Sequence, residues 1–115
     1  WLPSFCTPDM AAAGWKIVNE AADEHERFMD PEHFGVLVPY THGELTPGYK
    51  QILERRAPDV DPSEIIPTGW QGLRDQLERF VEVGASKFVP ILVGEPDDWF
   101  RELEGVAETV LSIQN

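Results

Sequence analysis

Basic residues are scarce in this chain: nine lysines and arginines stand against 21 aspartates and glutamates, a net charge of −12. Such a chain has no basic stripe with which to displace counterions, which argues against nucleic acid and against an anionic membrane surface as partners. The charge is read first as a solvated acidic surface. Cysteine is nearly absent. Cys6 alone forms no internal disulfide and suits a reducing compartment, so a cytoplasmic location is expected. No apolar run approaches the ~18 residues of a membrane span. No Gly-rich phosphate loop, Walker loop or nucleophile elbow occurs. There is no signal-peptide pattern and no leading Met; the apolar opening Trp1-Leu2-Pro3 suggests a piece of something longer.

What is present is globular. Hydrophobic residues make up 42% of the 115 positions, enough to require a core, and the length suits one domain or part of one. Residues 1–5 look like the tail of a strand. Thr7-Pro8-Asp9 then combines an N-cap, a proline in the first turn and an acid at the positive end of the dipole. Met10, Ala13, Ile17, Ala21, His25 and Phe28 follow at helical spacing, predicting a buried stripe on a helix that runs to Met29-Asp30-Pro31. Residues 33–40 and 87–93 are nearly continuous apolar runs, the pattern of parallel strands covered on both faces. Thr46-Pro47 opens a short helix to about Arg56, and residues 57–62 form a proline-broken connector. Thr68 is a third N-cap, with Trp70, Leu73, Leu77, Phe80 and Val81 on one face and Gly84 as the left-handed residue closing the helix. The last helix is expected to open at 94–98, with Phe100, Leu103, Val106, Ala107, Val110 and Leu111 facing its core.

Alternating strands and helices predict βα units and a parallel sheet. Two strands and a stub are too few to cover the helices, so the remaining strands are expected on another stretch of chain. The fold class expected is α/β: residues 1–115 as a single segment, the C-terminal part of a (β/α)8 barrel, which takes roughly 250 residues.

Three runs then become familiar: Trp1-Leu2-Pro3 followed by Thr7-Pro8-Asp9, the stretch DPEHFGVLVPY at 30–40, and PTGWQGLRDQLERFVEVGASKFVPILV at 67–93. Together they resemble the C-terminal third of the luciferase-like monooxygenases, flavin- or deazaflavin-dependent oxidoreductases on a (β/α)8 barrel. The resemblance implies strands six to eight of the barrel, closing it and lining the substrate side. It implies a parent protein that uses coenzyme F-420 or FMN, the runs at 32–36 and 84–89 favouring F-420. It implies a small-molecule substrate. The isolated segment is expected to be inactive and to hold neither cofactor tightly, since most cofactor positions of the family lie on earlier strands. Final strands of the family often carry an Arg near their end; here Pro90-Ile91-Leu92 stand instead.

In a barrel the active site lies at the carboxyl ends of the strands. That rule selects His42 as the catalytic candidate, able to donate to a ligand or shuttle a proton. Tyr40, Thr41, Trp70 and Glu95 are the substrate-side candidates. His42, Tyr40, Trp70 and Glu95 each have a plainer reading: a surface-loop histidine, a strand-end tyrosine with a wetted hydroxyl, a packed tryptophan, an acid near a helix start. Asp97 and Asp98 beside Glu95 suggest an acid/base site, but helix-dipole chemistry explains them as well. His25 and His33, with their acidic neighbours, lack the spacing of metal ligands, and no metal is expected. Arg55-Arg56 suits a helix C-terminus, and Cys6 has no neighbour in sequence that would activate its thiol. Two rivals stand beside the oxidoreductase: an independent small α/β module acting by self-association or partner binding, and a small enzyme built on Glu95, Asp97 and Asp98. Unpaired sheet edges predict a homodimer.

Overall fold

The computed structural model describes residues 1–113. It is mixed α/β, with four α-helices and a two-strand parallel sheet. In chain order these are α1 (Pro8–Glu24), β1 (Gly35–Tyr40), α2 (Pro47–Arg56), α3 (Gly69–Glu82), β2 (Lys87–Leu92) and α4 (Trp99–Leu111), with single 3-10 turns at Pro31–His33 and Pro62–Glu64.

The strands pair in parallel from Gly35 opposite Lys87 to Tyr40 opposite Leu92. The amino-terminal stub runs along the other edge of β1. Ser4 bridges Leu37 in parallel, and the Leu37 amide donates to the Pro3 carbonyl at 2.9 Å. Three segments that follow one another in sequence are therefore neighbours in the same order.

Local chemistry sets the helix ends. The Thr7 hydroxyl accepts from the Met10 amide and the Thr46 hydroxyl from that of Tyr49, with proline following each cap. Thr68 stands at the N-cap of α3, but its side chain makes no capping bond. At the far end of α3 the Ala85 amide reaches the Phe80 carbonyl and the Gly84 amide that of Val81, with Gly84 at φ +102°. This is the Schellman arrangement, and glycine enters it without a Cβ penalty.

The first helix is shorter than its apolar pattern suggests. Glu26 adopts φ +54°, its amide donates to the Asp23 carbonyl, and the Arg27 amide donates to that of Ala22. This left-handed turn stops the helix at Glu24, before Met29-Asp30-Pro31. The inward stripe is also different. Ala11 is buried and Trp15 and Val18 partly so, whereas Met10, Ala13, Ile17, Ala21 and His25 are exposed and Phe28 is 86% exposed. Trp15 stacks on Phe34 at 4.8 Å between ring centroids, and Trp1 stacks on both. That aromatic contact turns the 11–15–18 face inward.

The main core lies between the sheet and three helices. Val36, Val38 and Tyr40 of β1 meet Ala11 of α1, Leu73, Leu77 and Phe80 of α3, and Val110 of α4. A second cluster, Leu53, Ala57, Ile65 and Ile66, gathers around α2 with Phe5, Tyr49 and Val93 at its border. The helices of the main core thus share one face of the sheet. On the opposite face Pro39 is buried, Leu37 and Ile91 are half-buried and Val89 is 46% exposed. β2 is accordingly not covered on both faces as its apolar run predicts.

Helix α4 begins only at Trp99. Asp98 caps it, accepting from the amides of Phe100 and Arg101, so Pro96 and Asp97 precede the helix and do not form its first turn. Its inward residues are Glu102, Val106, Thr109 and Val110, while Phe100, Leu103, Ala107 and Leu111 are exposed. The expected apolar face is rotated toward a carboxylate, and the reason lies at the end of β1.

Candidate functional site

Tyr40 is the last residue of β1 and points into the helix-covered face. Its hydroxyl donates to Glu102 Oε1 of α4 at 2.7 Å. Two residues on, past the strand end, His42 Nε2 lies 2.8 Å from the same oxygen. One carboxylate oxygen therefore joins two candidates that sequence spacing put side by side, and it comes from a residue 60 positions away from His42. Glu102 is 8% exposed. A carboxylate is buried at tolerable cost only when its lone pairs are taken up, and here two groups face it.

The backbone aims these groups. The Thr41 amide donates to the Pro67 carbonyl at 3.0 Å, and the Gly69 amide donates to the Thr41 carbonyl at 2.7 Å. These bonds lay residues 67–69 along the end of β1 and deliver Trp70, in the first turn of α3, beside His42. The two rings meet edge to face at 4.6 Å between centroids, and Tyr40 lies 5.7 Å from Trp70. The other flank of the Trp70 ring lies against Gly105, where a Cβ would fall within 3 Å of the ring atoms. Thr41 is buried and its hydroxyl spans the turn, donating to the Gly43 carbonyl at 3.2 Å and facing the Gly43 amide at 3.3 Å.

The electrostatic consequence falls on Tyr40. Burial first, then its bond to Glu102, then that carboxylate's charge, raise its phenol well above the usual tyrosine range. Tyr40 is thus a fixed donor at neutral pH. His42 differs: its side chain is 38% exposed, so its ring is reachable from solvent.

The structure brings together His42, Tyr40 and Trp70, with Thr41 as the brace of their loop. Glu95 stands apart, exposed in the turn after β2 with no bond to this group. Asp98 is occupied as a helix cap, and Asp97 is exposed. Arg56 lies over the Phe5 ring, 5.8 Å from its centroid. Cys6 is partly buried, and burial pushes its thiol up to about 11, the opposite of an activated nucleophile. Among the described residues no group of three or more metal-ligating side chains occurs, and no helix is long and apolar enough to cross a membrane.

Glu102 is the member that sequence reasoning misses. An acid in the first turn of a helix is expected for dipole reasons alone. The one available signal was position: Glu102 falls between apolar residues of α4, on the side that faces α3.

A cleft of about 570 Å³, lined in part by Gly43, Glu44, Lys50, Ser63 and Thr68, adjoins the same end of the sheet. A slightly larger one, about 610 Å³, lies at the amino end of β2 against Glu32, Ser86 and Lys87. The hydrogen-bonded carboxylate lies at the former end. No family model matches this chain, and neither the curated proteins nor the solved structures contain a match to it.

Proposed function

We propose that this chain is the C-terminal, barrel-closing part of a luciferase-like flavin- or deazaflavin-dependent oxidoreductase, and that Tyr40, His42, Trp70 and Glu102 form part of its substrate wall. One observation carries the reading. The hydrogen-bonded group sits at the carboxyl end of a parallel strand, in a sheet whose packed helices lie on one face and whose strand segments neighbour each other in chain order. A barrel wall carries its helices on one face, with its strands neighbouring each other in chain order, and places its chemistry at that end.

His42 is the proton-handling residue of this wall, and Trp70 and Tyr40 confine its ring. When bound, the cofactor supplies the redox step. The residues gathered here do not fit its phosphate, because the anchor is a carboxylate and no Lys or Arg is hydrogen-bonded to it among the described residues. The cofactor's contacts belong to other strands under this reading.

The test is to express the complete reading frame that contains this chain and titrate it with F-420 and with FMN, following cofactor fluorescence. Binding of one of them is expected, with His42→Ala keeping that binding and losing turnover. A product that binds neither cofactor sinks the proposal. The rival reading, a self-associating module, draws on the exposed Phe100, Leu103 and Leu111 of α4 and the open edge of β2. It predicts a stable homodimer of the 115-residue chain by light scattering.

A further inference from the structure

We infer that Glu102 is the positioning residue of this wall: it holds the ring proton of His42 on Nε2, leaving Nδ1 as the free acceptor, matched to an uncharged hydroxyl or N–H group of a ligand. The inference rests on the reading that this rim faces substrate. An ionised carboxylate only accepts hydrogen bonds. Oε1 lies 2.7 Å from the Tyr40 hydroxyl and 2.8 Å from His42 Nε2, so both contacts are donations to one oxygen. Tyr40 stays protonated well beyond neutral pH and competes for no proton. A neutral imidazole carries one ring proton. With that proton on Nε2, the lone pair is on Nδ1, which has no protein partner among the described residues. The Trp70 edge at 4.6 Å and the Tyr40 ring at 5.6 Å limit rotation of the imidazole.

The ligand class follows from charge. An anion approaching Nδ1 meets a carboxylate that no Lys or Arg neutralises among the described residues. An uncharged donor gives Nδ1 a hydrogen bond without that repulsion.

The experiment reads the ring nitrogens of the 15N-labelled chain above neutral pH, with His42→Asn to assign the signals. His42 is expected in the Nε2–H form with a ring proton protected from exchange. Tyr40→Phe should retain that form, and Glu102→Ala should lose the protection. An Nδ1–H tautomer, or an unprotected ring proton in the parent chain, overturns the inference. Should Glu102→Ala unfold α4, the parent tautomer and its protection decide alone. Titration with phenol is expected to move the Nδ1 resonance, and titration with benzoate to leave it in place. An equal response to benzoate, or none to phenol, overturns the ligand class. These signals are independent of cofactor binding, so this inference and the oxidoreductase reading fail separately.

Discussion

Replacing Gly105 by alanine tests the packing beneath the site, because two effects of opposite sign compete there. Gly105 lies inside α4. In an open helix interior, alanine in place of glycine stabilises by about 1 kcal/mol. Here the new methyl would enter the Trp70 ring, with three ring atoms closer than 3 Å. Trp70 has little room to retreat, since its ring meets His42 at 4.6 Å and Tyr40 at 5.7 Å. Overpacking of this kind costs about 1–3 kcal/mol. The steric term should win, because the obstacle is a rigid indole held on two sides. The expected net effect is a loss of up to about 2 kcal/mol, or up to several degrees in Tm for a domain of this size.

Urea denaturation followed by circular dichroism measures it, with an unchanged m-value showing that only stability has moved. The decisive control is a double-mutant cycle. In a Trp70→Leu background the obstacle is gone, and Gly105→Ala should stabilise by about 1 kcal/mol. The coupling between the two positions should then equal the overpacking cost, about 1–3 kcal/mol. Stabilisation by Gly105→Ala in the parent chain, or a coupling below about 0.5 kcal/mol, would show that α4 does not seat Glu102 where Tyr40 and His42 need it.

Three further outcomes follow from the same structure. The folded pKa of Tyr40 is raised, so the stability tied to its neutral phenol is intact below the ordinary value of 10.0 and is lost as pH rises beyond it; ultraviolet titration should show one tyrosine resisting ionisation past that pH, and Tyr40→Phe should abolish the resistant step. Cys6, pushed from 9.0 to about 11, holds about a hundredfold less thiolate than an ordinary cysteine at neutral pH, so a thiol-specific reagent should react slowly with the native chain and rapidly in urea; equal rates would place Cys6 on an open surface. Gly84→Ala and Glu26→Gly act on two left-handed helix ends, at φ +102° and +54°. The first should cost about 1 kcal/mol and the second gain up to about 1 kcal/mol in thermal denaturation, and like signs would contradict the turn geometry.

How much of this was legible in the sequence depends on how local the signal was. The Thr-Pro caps and the glycine that closes α3 act through backbone groups a few residues away, so Thr7, Thr46 and Gly84 mark their helix ends as expected. The faces of α1 and α4 were not legible, since each helix carries two apolar stripes. In α1, Met10, Ala13 and Ile17 compete with Ala11, Trp15 and Val18, and the stacking of Trp15 on Phe34 decides. In α4, Phe100, Leu103 and Leu111 form the better apolar pattern, yet Glu102 turns inward. A carboxylate goes inside only because Tyr40 and His42 wait there to donate, and both lie some 60 residues away in sequence. That long-range pairing is what spacing rules do not contain.

The prolines of the two strands mark where the sheet can and cannot continue. The Leu37 amide donates toward the stub, and the Tyr40 carbonyl accepts from Val93 of the β2 segment. Alternation along a strand then turns the odd positions of β1 toward the stub and the even positions of β2 toward the open edge. Pro39 therefore lacks a donor on the stub side, next to the Ser4 bridge, and Pro90 lacks one on the outer edge of β2. Neither interrupts the ladder between β1 and β2. Both limit what can be added outside it. A barrel closing onto β2 must leave one bond unmade opposite Pro90 and draw on the amides of Phe88 and Leu92 instead. A second copy adding its own strand meets the same gap. Pairing along this edge is thus weakened at its centre. The apolar side chains left open on the sheet face, Val89 and Ile91 with Leu37, become the larger part of whatever attraction covers it.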